Sequence, residues 1–298
     1  MSQPAAVILA FFQPVIFELP QRHLHATVQT MHAQGIPLVV VQAVYPGQNP
    51  QRIPEVIPQK TYRTKSLVFH KERLWNLAAT ELTDAENLIF LDADLVFSRS
   101  DWLERCLDSL KDFDIIQPFS EARWLDDRGL VDMVRPPTSE AINAGLKPAL
   151  KYYHPGFGWG LTRDAFNRLG GFYDLSVAGN SDALFALSLR DNILHEALSN
   201  WFGNKQDATV RCKSYQDYKR NAVSLDLKVG TPKGVEVTHL WHGYRENRNY
   251  VQRGNLFPRR EDGEYAVHTA ENGLLEWDDV LRGNQSVQSY FSGKKDDG

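Results

Sequence analysis

The sequence predicts an α/β fold in which helices flank a central, mostly parallel sheet. Near the start of the chain, an apolar run (Ala5–Phe12), a helical segment (Leu19–Gly35) and a β-branched run (Leu38–Tyr45) follow one another. That succession is typical of a parallel βαβ unit. Further along, Asn87–Phe97 begins with a short apolar run of the kind found in strands buried on both faces. Together these segments predict a sheet covered by helices.

The other segments of the first half alternate between helix and strand. Four prolines and one glycine between residues 46 and 58 predict a loop. Helices are expected over Ser66–Leu82 and Asp101–Leu110, the second with Ser100 as its N-cap, and a strand over Asp114–Phe119. The stretch 136–148 begins and ends with proline, which predicts an irregular excursion.

The second half predicts shorter elements. A helix over Thr162–Leu169 has Thr162 as its N-cap and ends at Gly170. The other expected elements are a helix over Asp182–Leu189, a strand or turn over Val235–His242, a polar helix over Tyr244–Arg253, an amphipathic helical candidate over Leu274–Leu281, and a solvated charged end over Lys294–Gly298.

Composition limits the classes of protein that fit. The 298 residues include 33 basic and 37 acidic ones, and a net charge of −4 excludes polyanion binding by the chain as a whole. Two cysteines, Cys106 and Cys212, are too few for a disulfide framework. The start lacks a basic signal region, and the first apolar run is too short to span a membrane. We therefore expect a soluble, cytoplasmic protein.

The most informative residues are the two acids inside Asn87–Phe97, Asp92 and Asp94. Carboxylates are almost never buried without a partner. Open α/β sheets bind ligands at the carboxyl ends of their strands, and a divalent cation with a diphosphate would neutralise both acids there. A second Asp-x-Asp, Asp112–Asp114, follows a predicted helix and is interpreted as a solvated helix end.

Three separated pieces fit one metal site: Asp92–Asp94, the acidic stretch Gly170–Asp182, and His239–Gly243. One carboxylate, one imidazole and two phosphate oxygens would suit manganese, whereas zinc is disfavoured because no cysteine or third histidine lies nearby. The alternative for each histidine is a hydrogen-bonded core or surface residue. The glycine- and aromatic-rich stretch Tyr153–Gly160 is either a sugar-site wall or a tight turn packed by Trp159.

Two of these stretches resemble GT-A glycosyltransferases. The run Phe157–Phe172 is similar to the segment that those enzymes carry before their acceptor-site acids. Trp241–Asn247 resembles the metal-binding His-Ser-Arg stretch of β-1,4-galactosyltransferases, and polypeptide N-acetylgalactosaminyltransferases have a comparable late metal histidine. The order of the motifs also matches, over residues 5 to 255. The resemblance implies a GT-A domain over 1–255, with a nucleotide-sugar half (1–120) and an acceptor half (121–255), followed by an extension (256–298).

The resemblance also implies roles for single residues. Asp94 and His242 would bind the metal, Asp92 would meet the ribose, the metal or its water, and Asp182 would be the acid at the acceptor. Relatives usually carry Gly-Glu-Asp where this chain has Asn180-Ser181-Asp182. The expected donor-binding residues are Asp92, Phe11, Lys71, Asn76, Trp159 and Gly160.

Some of these side chains have ordinary alternatives. Lys71, Arg73 and Asn76 could form an exposed helix face, and Arg245 and Arg248 are either phosphate clamps or a solvated face. Because His239 and His242 are three residues apart on a predicted strand, one imidazole is expected in the site and the other in packing. The resemblance assigns His242 to the metal.

The function that follows is metal-dependent transfer of a hexose from a UDP-sugar to an acceptor hydroxyl, with Mn²⁺ or Mg²⁺ and with Asp182 as the base. The acceptor is left open between a glycan, a lipid, a protein, a small molecule and a nucleic acid. One alternative, a sugar-phosphate nucleotidylyltransferase, should carry a glycine-rich basic loop after the first strand, which Phe11–Pro14 is not. The other alternative is a non-catalytic carbohydrate-binding protein on the same scaffold.

Overall fold

The computed structural model describes residues 3–146, 152–190, 208–244, 247 and 256–297. The strands are β1 (Ala6–Phe12), β2 (Leu38–Val44), β3 (Gln59–Arg63), β4 (Asn87–Leu91), β5 (Leu95–Phe97), β6 (Ile115–Ile116), β7 (Glu121–Leu125), β8 (Val131–Arg135), β9 (Gly158–Thr162), β10 (Val229–Gly230), β11 (Glu236–His239), β12 (Val267–Thr269) and β13 (Leu275–Trp277). The helices are α1 (Glu18–Ala33), α2 (Lys71–Glu81), α3 (Trp102–Ser109), α4 (Thr138–Asn143), α5 (Arg163–Leu169), α6 (Ser181–Ser188), α7 (Lys213–Ser224) and α8 (Val280–Gly293), with a 3₁₀ turn at Ala208–Arg211.

The central sheet has seven strands in the order β10-β6-β9-β4-β1-β2-β3. Strand β1 pairs in parallel with β2 on one side and with β4 on the other, and β9 is antiparallel to both β4 and β6. Because the chain proceeds from β1 in opposite directions along the sheet, a topological switch point lies between β1 and β4. Ligands of open α/β sheets bind at such points, outside the carboxyl ends of the strands.

Helices cover both faces of this sheet. Alternate residues of β1 enter two different apolar clusters, Ala6 and Ile8 with α2, α5, α6 and α7, and Val7 and Leu9 with α1 and α3. Both faces of the strand are therefore buried, which explains why its sequence is continuously apolar. The prediction of an α/β fold with a mostly parallel sheet, flanking helices and a C-terminal helix is confirmed.

The predicted strand Asn87–Phe97 is in fact two strands in two sheets. Strand β4 ends at Leu91, a turn follows, and Leu95–Phe97 forms β5 in a second sheet of order β5-β11-β7-β8. The turn is fixed by hydrogen bonds from the Asp92 amide to the Phe157 carbonyl (2.9 Å) and from the Leu240 amide to the Asp94 carbonyl (3.0 Å). Both acids consequently lie where the two sheets meet.

Several element boundaries differ from the predictions. The helix expected over 66–82 begins only at Lys71. Ser100 is not the N-cap of α3, because Asp101 occupies that position. Strand β3 was not predicted, since its residues are polar and only Tyr62 is buried. The predicted cap of α5 is confirmed, because Thr162 accepts a hydrogen bond from the Ala165 amide at 3.2 Å.

The C-terminal predictions need the largest corrections. The stretch 274–281 contains strand β13 instead of a helix, and α8 begins after Asp279, whose side chain accepts from the Arg282 amide at 3.1 Å. The end of the chain is not solvated throughout, because Asp296 is only 3% exposed. Residues 256–291 share an apolar cluster with Val68 and Val177, so this part packs on the α/β body. The domain boundary at 255 stays a prediction.

Within the described ranges, no helix has both the length and the apolar character that a membrane crossing requires. The polar helix expected over 244–253 lies almost entirely outside the described residues.

Candidate functional site

A cavity of about 270 Å³ opens at the switch point of the central sheet. Its walls come from the end of β1 and the segment after it (residues 10–15), the turn after β4 (92–94), the start of α2, the start of α6, the end of β11 and the C-terminal segment. Segments far apart in sequence thus meet at the position where this type of sheet binds ligands.

One wall of the cavity holds a carboxylate between two imidazoles. The Nε2 atoms of His239 and His242 lie 3.3 Å and 3.0 Å from the same oxygen, Oδ2 of Asp94. We call these three residues the triad. Oδ1 of Asp94 is buried and has no hydrogen-bond partner among the described residues. Burial favours a raised pKa for Asp94, but the two imidazoles outweigh it and hold that pKa well below its ordinary value.

The triad has the donors that a divalent cation needs. One ligand atom from each residue lies within 4.8 Å of the others. Imidazole and carboxylate donors suit manganese, but two imidazoles and one carboxylate also match open zinc sites and the 2-His-1-carboxylate sites of iron enzymes. The sequence argument disfavoured zinc because no cysteine or third histidine lies near the histidine pair, but Asp94 supplies a third donor to this set.

His239 was expected to have only a packing role, but it has two kinds of contact. Its ring stacks on Phe157 at 5.0 Å between centroids and 10° between planes, and it also reaches Asp94. Strand β11 ends at His239, and the chain then turns through Gly243, whose φ is 98°. The rule that residues three apart on a strand face opposite ways therefore stops at His239, and both imidazoles meet the same carboxylate.

Asp92 lies outside the triad but lines the same cavity. Its Oδ1 is 3.1 Å from Nζ of Lys71, the first residue of α2. Burial raises the pKa of Asp92, and the neighbouring Asp94 and Asp182 raise it further, whereas Lys71 lowers it. Burial also disfavours a charged Lys71, but Asp92, Glu72 and Asp182 overcome that effect and raise the pKa of Lys71. Lys71 therefore stays cationic.

Glu72 is a site residue that the sequence did not reveal. Glu72 is 4% exposed and lines the cavity, and its Oε1 lies 3.7 Å from Nζ of Lys71. Burial raises the pKa of Glu72 to about 7, despite the opposing effect of Lys71. In the sequence, a glutamate in the first turn of a helix is unremarkable, because acids are favoured there.

Asp182 enters the cavity from the first turn of α6. Its Oδ1 accepts a hydrogen bond from the Ala183 amide at 2.7 Å. A side chain at position 156 would collide with it, because a Cβ on Gly156 would lie 2.6 Å from Oδ2 of Asp182. Position 156 therefore has no room for a side chain, which agrees with the close backbone approach that the glycine-rich sequence of this stretch allows.

An aromatic wall completes the cavity beside Asp182. The Trp124 ring lies 4.5 Å from the His154 ring and 4.7 Å from the Phe157 ring, between centroids. All three residues line the cavity. Trp124 was not singled out from the sequence, since a tryptophan in a short amphipathic strand has no distinguishing signal there.

The structure brings only some of the expected donor-binding residues into the cavity. Phe11, Lys71 and Asp92 line it. Asn76 instead bonds to the Phe172 carbonyl and amide, and Trp159 and Gly160 belong to the buried strand β9. The first part of the glycine-rich stretch lies in the cavity wall and its last part in the core, and its role as a sugar-site wall stays a prediction. Arg245 and Arg248 lie outside the described residues.

The C-terminal segment also reaches the cavity, which the sequence did not indicate. Tyr290 and Phe291 at the end of α8 line it, as do Lys294 and Asp296 directly after that helix. Within the described residues the cavity has two lysines, Lys71 and Lys294, on different elements.

No protein-family model matches the chain, and no curated protein matches it. Solved structures are similar to it at a low level. A mutant of Drosophila β-1,4-galactosyltransferase 7, in complex with manganese, UDP-Gal and xylobiose, has a TM-score of 0.40 and 12% identity over 95% of this chain and 98% of that one.

Two bacterial structures are similar at comparable levels. A nucleotide-diphospho-sugar transferase from Desulfovibrio desulfuricans has a TM-score of 0.36 and 11% identity, over 97% of this chain and 98% of that one. The 4-diphosphocytidyl-2C-methyl-D-erythritol synthase of Anaerococcus prevotii has a TM-score of 0.35 and 8% identity, over 96% of this chain and 99% of that one. Likenesses this weak do not indicate which reaction the chain catalyses.

Proposed function

We propose that this chain is a metal-dependent glycosyltransferase of the GT-A type, which transfers a hexose from a UDP-sugar to an acceptor hydroxyl. The observation that carries the proposal is the triad of Asp94, His239 and His242 in the wall of a cavity at the switch point of the sheet. Lys71 and Asp182 line the same cavity, so a metal site, a fixed cation and a candidate base lie together.

The triad residues would hold a divalent cation, which would offset the negative charge that grows on a leaving diphosphate. Asp94 is prepared for this role because its low pKa keeps it deprotonated. Lys71 lines the same cavity and provides a second positive charge, which a diphosphate bound there would meet. Asp92, paired with Lys71, limits how far that lysine can move and offers an acceptor for hydroxyl groups of the donor.

Asp182 is the proposed base. It lies beside the aromatic wall of Trp124, His154 and Phe157, and flat aromatic faces suit the apolar faces of sugar rings. In this arrangement, Asp182 removes the proton of the acceptor hydroxyl as that oxygen attacks the anomeric carbon and the diphosphate leaves. A single displacement of this kind inverts the configuration of the anomeric centre.

The geometry favours glycosyl transfer over nucleotidyl transfer. A nucleotidylyltransferase should hold its phosphates with a glycine-rich basic loop after β1. The segment after β1 is instead Gln13-Pro14-Val15, and the two lysines of the cavity come from α2 and from the C-terminal segment. A purely carbohydrate-binding protein would need neither the triad nor the cluster of acids around Lys71.

The experiment that tests the proposal is a screen of nucleotide sugars with the purified chain. Thermal stabilisation and nucleotide release would be measured for UDP-, GDP-, CDP- and TDP-sugars, with Mn²⁺, Mg²⁺, Zn²⁺ or EDTA. Stabilisation by a UDP-hexose that requires a metal, with slow release of UDP, is the expected result. Stabilisation by nucleoside triphosphates with release of pyrophosphate would assign the chain to nucleotidyl transfer instead.

A further inference from the structure

The segment 294–297, directly after α8, is held against the body of the protein at two places. The Asp297 carboxylate accepts hydrogen bonds from the backbone amides of Glu18 (3.0 Å) and Leu19 (2.7 Å), in the first turn of α1. The Lys295 carbonyl packs against Gly243, where an added Cβ would lie 2.6 Å from that oxygen. Both contacts are specific, since one uses the free amides of a helix start and the other needs a glycine.

Between these two contacts, Asp296 is brought to the back of the triad. Its side chain is 5% exposed, and its Oδ1 lies 3.6 Å from Nδ1 of His242. Its other oxygen, Oδ2, lies 2.9 Å from Nζ of Lys294. Burying a carboxylate is costly unless it is paired. Lys294 pairs with Oδ2, whereas Oδ1 is buried without a hydrogen bond among the described residues and faces the triad residue His242.

The two nitrogens of His242 therefore face two different carboxylates. Nε2 points to Asp94 at 3.0 Å, and Nδ1 points to Asp296. Histidines that bind metals commonly donate their second ring N–H to a carboxylate, which fixes the tautomer and the orientation of the ring. His239 is oriented by other means, because its ring stacks on Phe157.

We propose that Asp296 is a positioning residue of the metal site, which holds the proton of His242 on Nδ1 and leaves Nε2 free to bind the cation beside Asp94. The inference rests on the proposed function, because it requires the triad to bind a metal. It adds that the C-terminal segment is part of the active site, although its sequence predicts a solvated tail.

The alternative role of Asp296 is purely structural, as the partner of Lys294 in docking the segment. The two roles differ in what they predict for metal binding. A docking residue affects Mn²⁺ binding no more than Asp297 or Lys295 does. A positioning residue affects it specifically, and only while His242 is present.

The test is Mn²⁺ binding to the full chain without any substrate. Binding is measured by electron paramagnetic resonance of the free ion and by calorimetry. Asp296→Ala should raise the Kd for Mn²⁺ about 10- to 100-fold, the usual cost of losing such a partner. Asp296→Asn should raise it less, because its amide oxygen can still accept from Nδ1. Asp297→Ala and Lys295→Met, the second at an exposed lysine of the same segment, are the matched controls, and they should stay within about twofold of the wild type.

A double-mutant cycle separates positioning from stability. In a His242→Ala background, adding Asp296→Ala should change the Kd no further, because the two residues act as one unit. Where Asp296→Ala fails to fold, Asp296→Leu takes its place, since apolar replacement of a buried charge is often tolerated.

The failures of the two proposals are distinguishable. If the wild type binds Mn²⁺, Asp94→Ala abolishes binding and a folded Asp296→Ala or Asp296→Leu variant binds like the wild type, the role of Asp296 is refuted and the metal site stands. Losses in the Lys295→Met control equal to those of Asp296→Ala would also refute it. A wild type that binds no Mn²⁺ would overturn the metal site itself, and the role of Asp296 with it.

Discussion

Two parts of the cavity wall, the triad and the cluster of Asp92 and Glu72 around Lys71 (the Lys71 wall), hold their carboxylates in opposite electrostatic states. In the triad, the two imidazoles outweigh burial and lower the pKa of Asp94, so that this carboxylate stays charged. Around Lys71, burial raises the pKa of both Asp92 and Glu72. Asp92 and Asp94 are separated by one residue, yet their neighbours decide that Asp92 holds a proton more readily than Asp94 does.

This difference predicts that the two acids of the Asp-x-Asp motif do not act as a symmetric metal clamp. The turn after β4 directs the two carboxylates to different partners, Lys71 for Asp92 and the two histidines for Asp94. Substitutions on the triad wall should therefore affect metal binding first. Those on the Lys71 wall should affect the chemical step or the pH dependence of stability.

The largest effect is expected for Asp94→Ala. It removes the carboxylate that both imidazoles share, so sugar transfer should fall to background and Mn²⁺ binding should be lost while the fold is kept. Transfer assays and metal titrations measure both effects. Asp112→Ala is the matched control, because Asp112 begins the second Asp-x-Asp and is exposed. Full activity of Asp94→Ala, or a wild type that is insensitive to EDTA, would contradict the metal site.

Asp182→Asn should reduce the rate of transfer about 100- to 10,000-fold, the usual contribution of a general base, while binding of the nucleotide sugar survives. The amide keeps the shape of the side chain beside Gly156 but cannot take the proton. Steady-state kinetics and donor calorimetry separate the two quantities. Asp164→Asn, an exposed acid in the first turn of α5, is the control. Lost donor affinity with normal turnover would place Asp182 in the donor site.

His242→Ala and His239→Ala should each raise the Mn²⁺ concentration for half-maximal activity at least about tenfold, a loss of about 1.4 kcal/mol per site. The sequence alone predicted this only for His242, but both Nε2 atoms meet Asp94 in the structure. His239→Ala should also lower the melting temperature, because it removes the ring stacked on Phe157. His268→Ala, at an exposed histidine, is the control. A metal defect in only one variant would reduce the triad to two ligands.

The last effect is on the stability of the fold and concerns Glu72 in the Lys71 wall. Burial raises the pKa of Glu72 from 4.5 to about 7, so the folded state binds more protons than the unfolded state between these values. This contribution to stability is present at pH 4.5 and is lost as the pH rises through 7. Glu72→Gln should therefore gain about 1 to 3 kcal/mol relative to the wild type between pH 5 and pH 8.

Urea unfolding of metal-free protein at the two pH values measures this gain. Glu104→Gln, in the exposed part of the first turn of α3, should leave the pH dependence unchanged. If the stability difference between wild type and Glu72→Gln is the same at pH 5 and pH 8, the carboxyl of Glu72 does not titrate in this range.

The sequence by itself determined the α/β architecture, the placement of two acids at the end of a buried strand, and the existence of a late histidine pair. These features could be predicted because buried parallel strands require continuous apolar runs and because an unpartnered acid beside such a run needs a ligand. The pattern is local, so it is legible in a short stretch of residues.

Only the tertiary structure decided which partners those residues meet. Strand periodicity predicted opposite faces for His239 and His242, but β11 ends at His239, so the alternation does not extend to His242, whose Nε2 also lies beside Asp94. Burial of Glu72 and docking of Asp296 have no local signal, since a glutamate in a first helical turn and a charged tail are ordinarily solvated. Their environment depends on segments distant in sequence, whose packing sets the distances, the burial and hence the charge of each group.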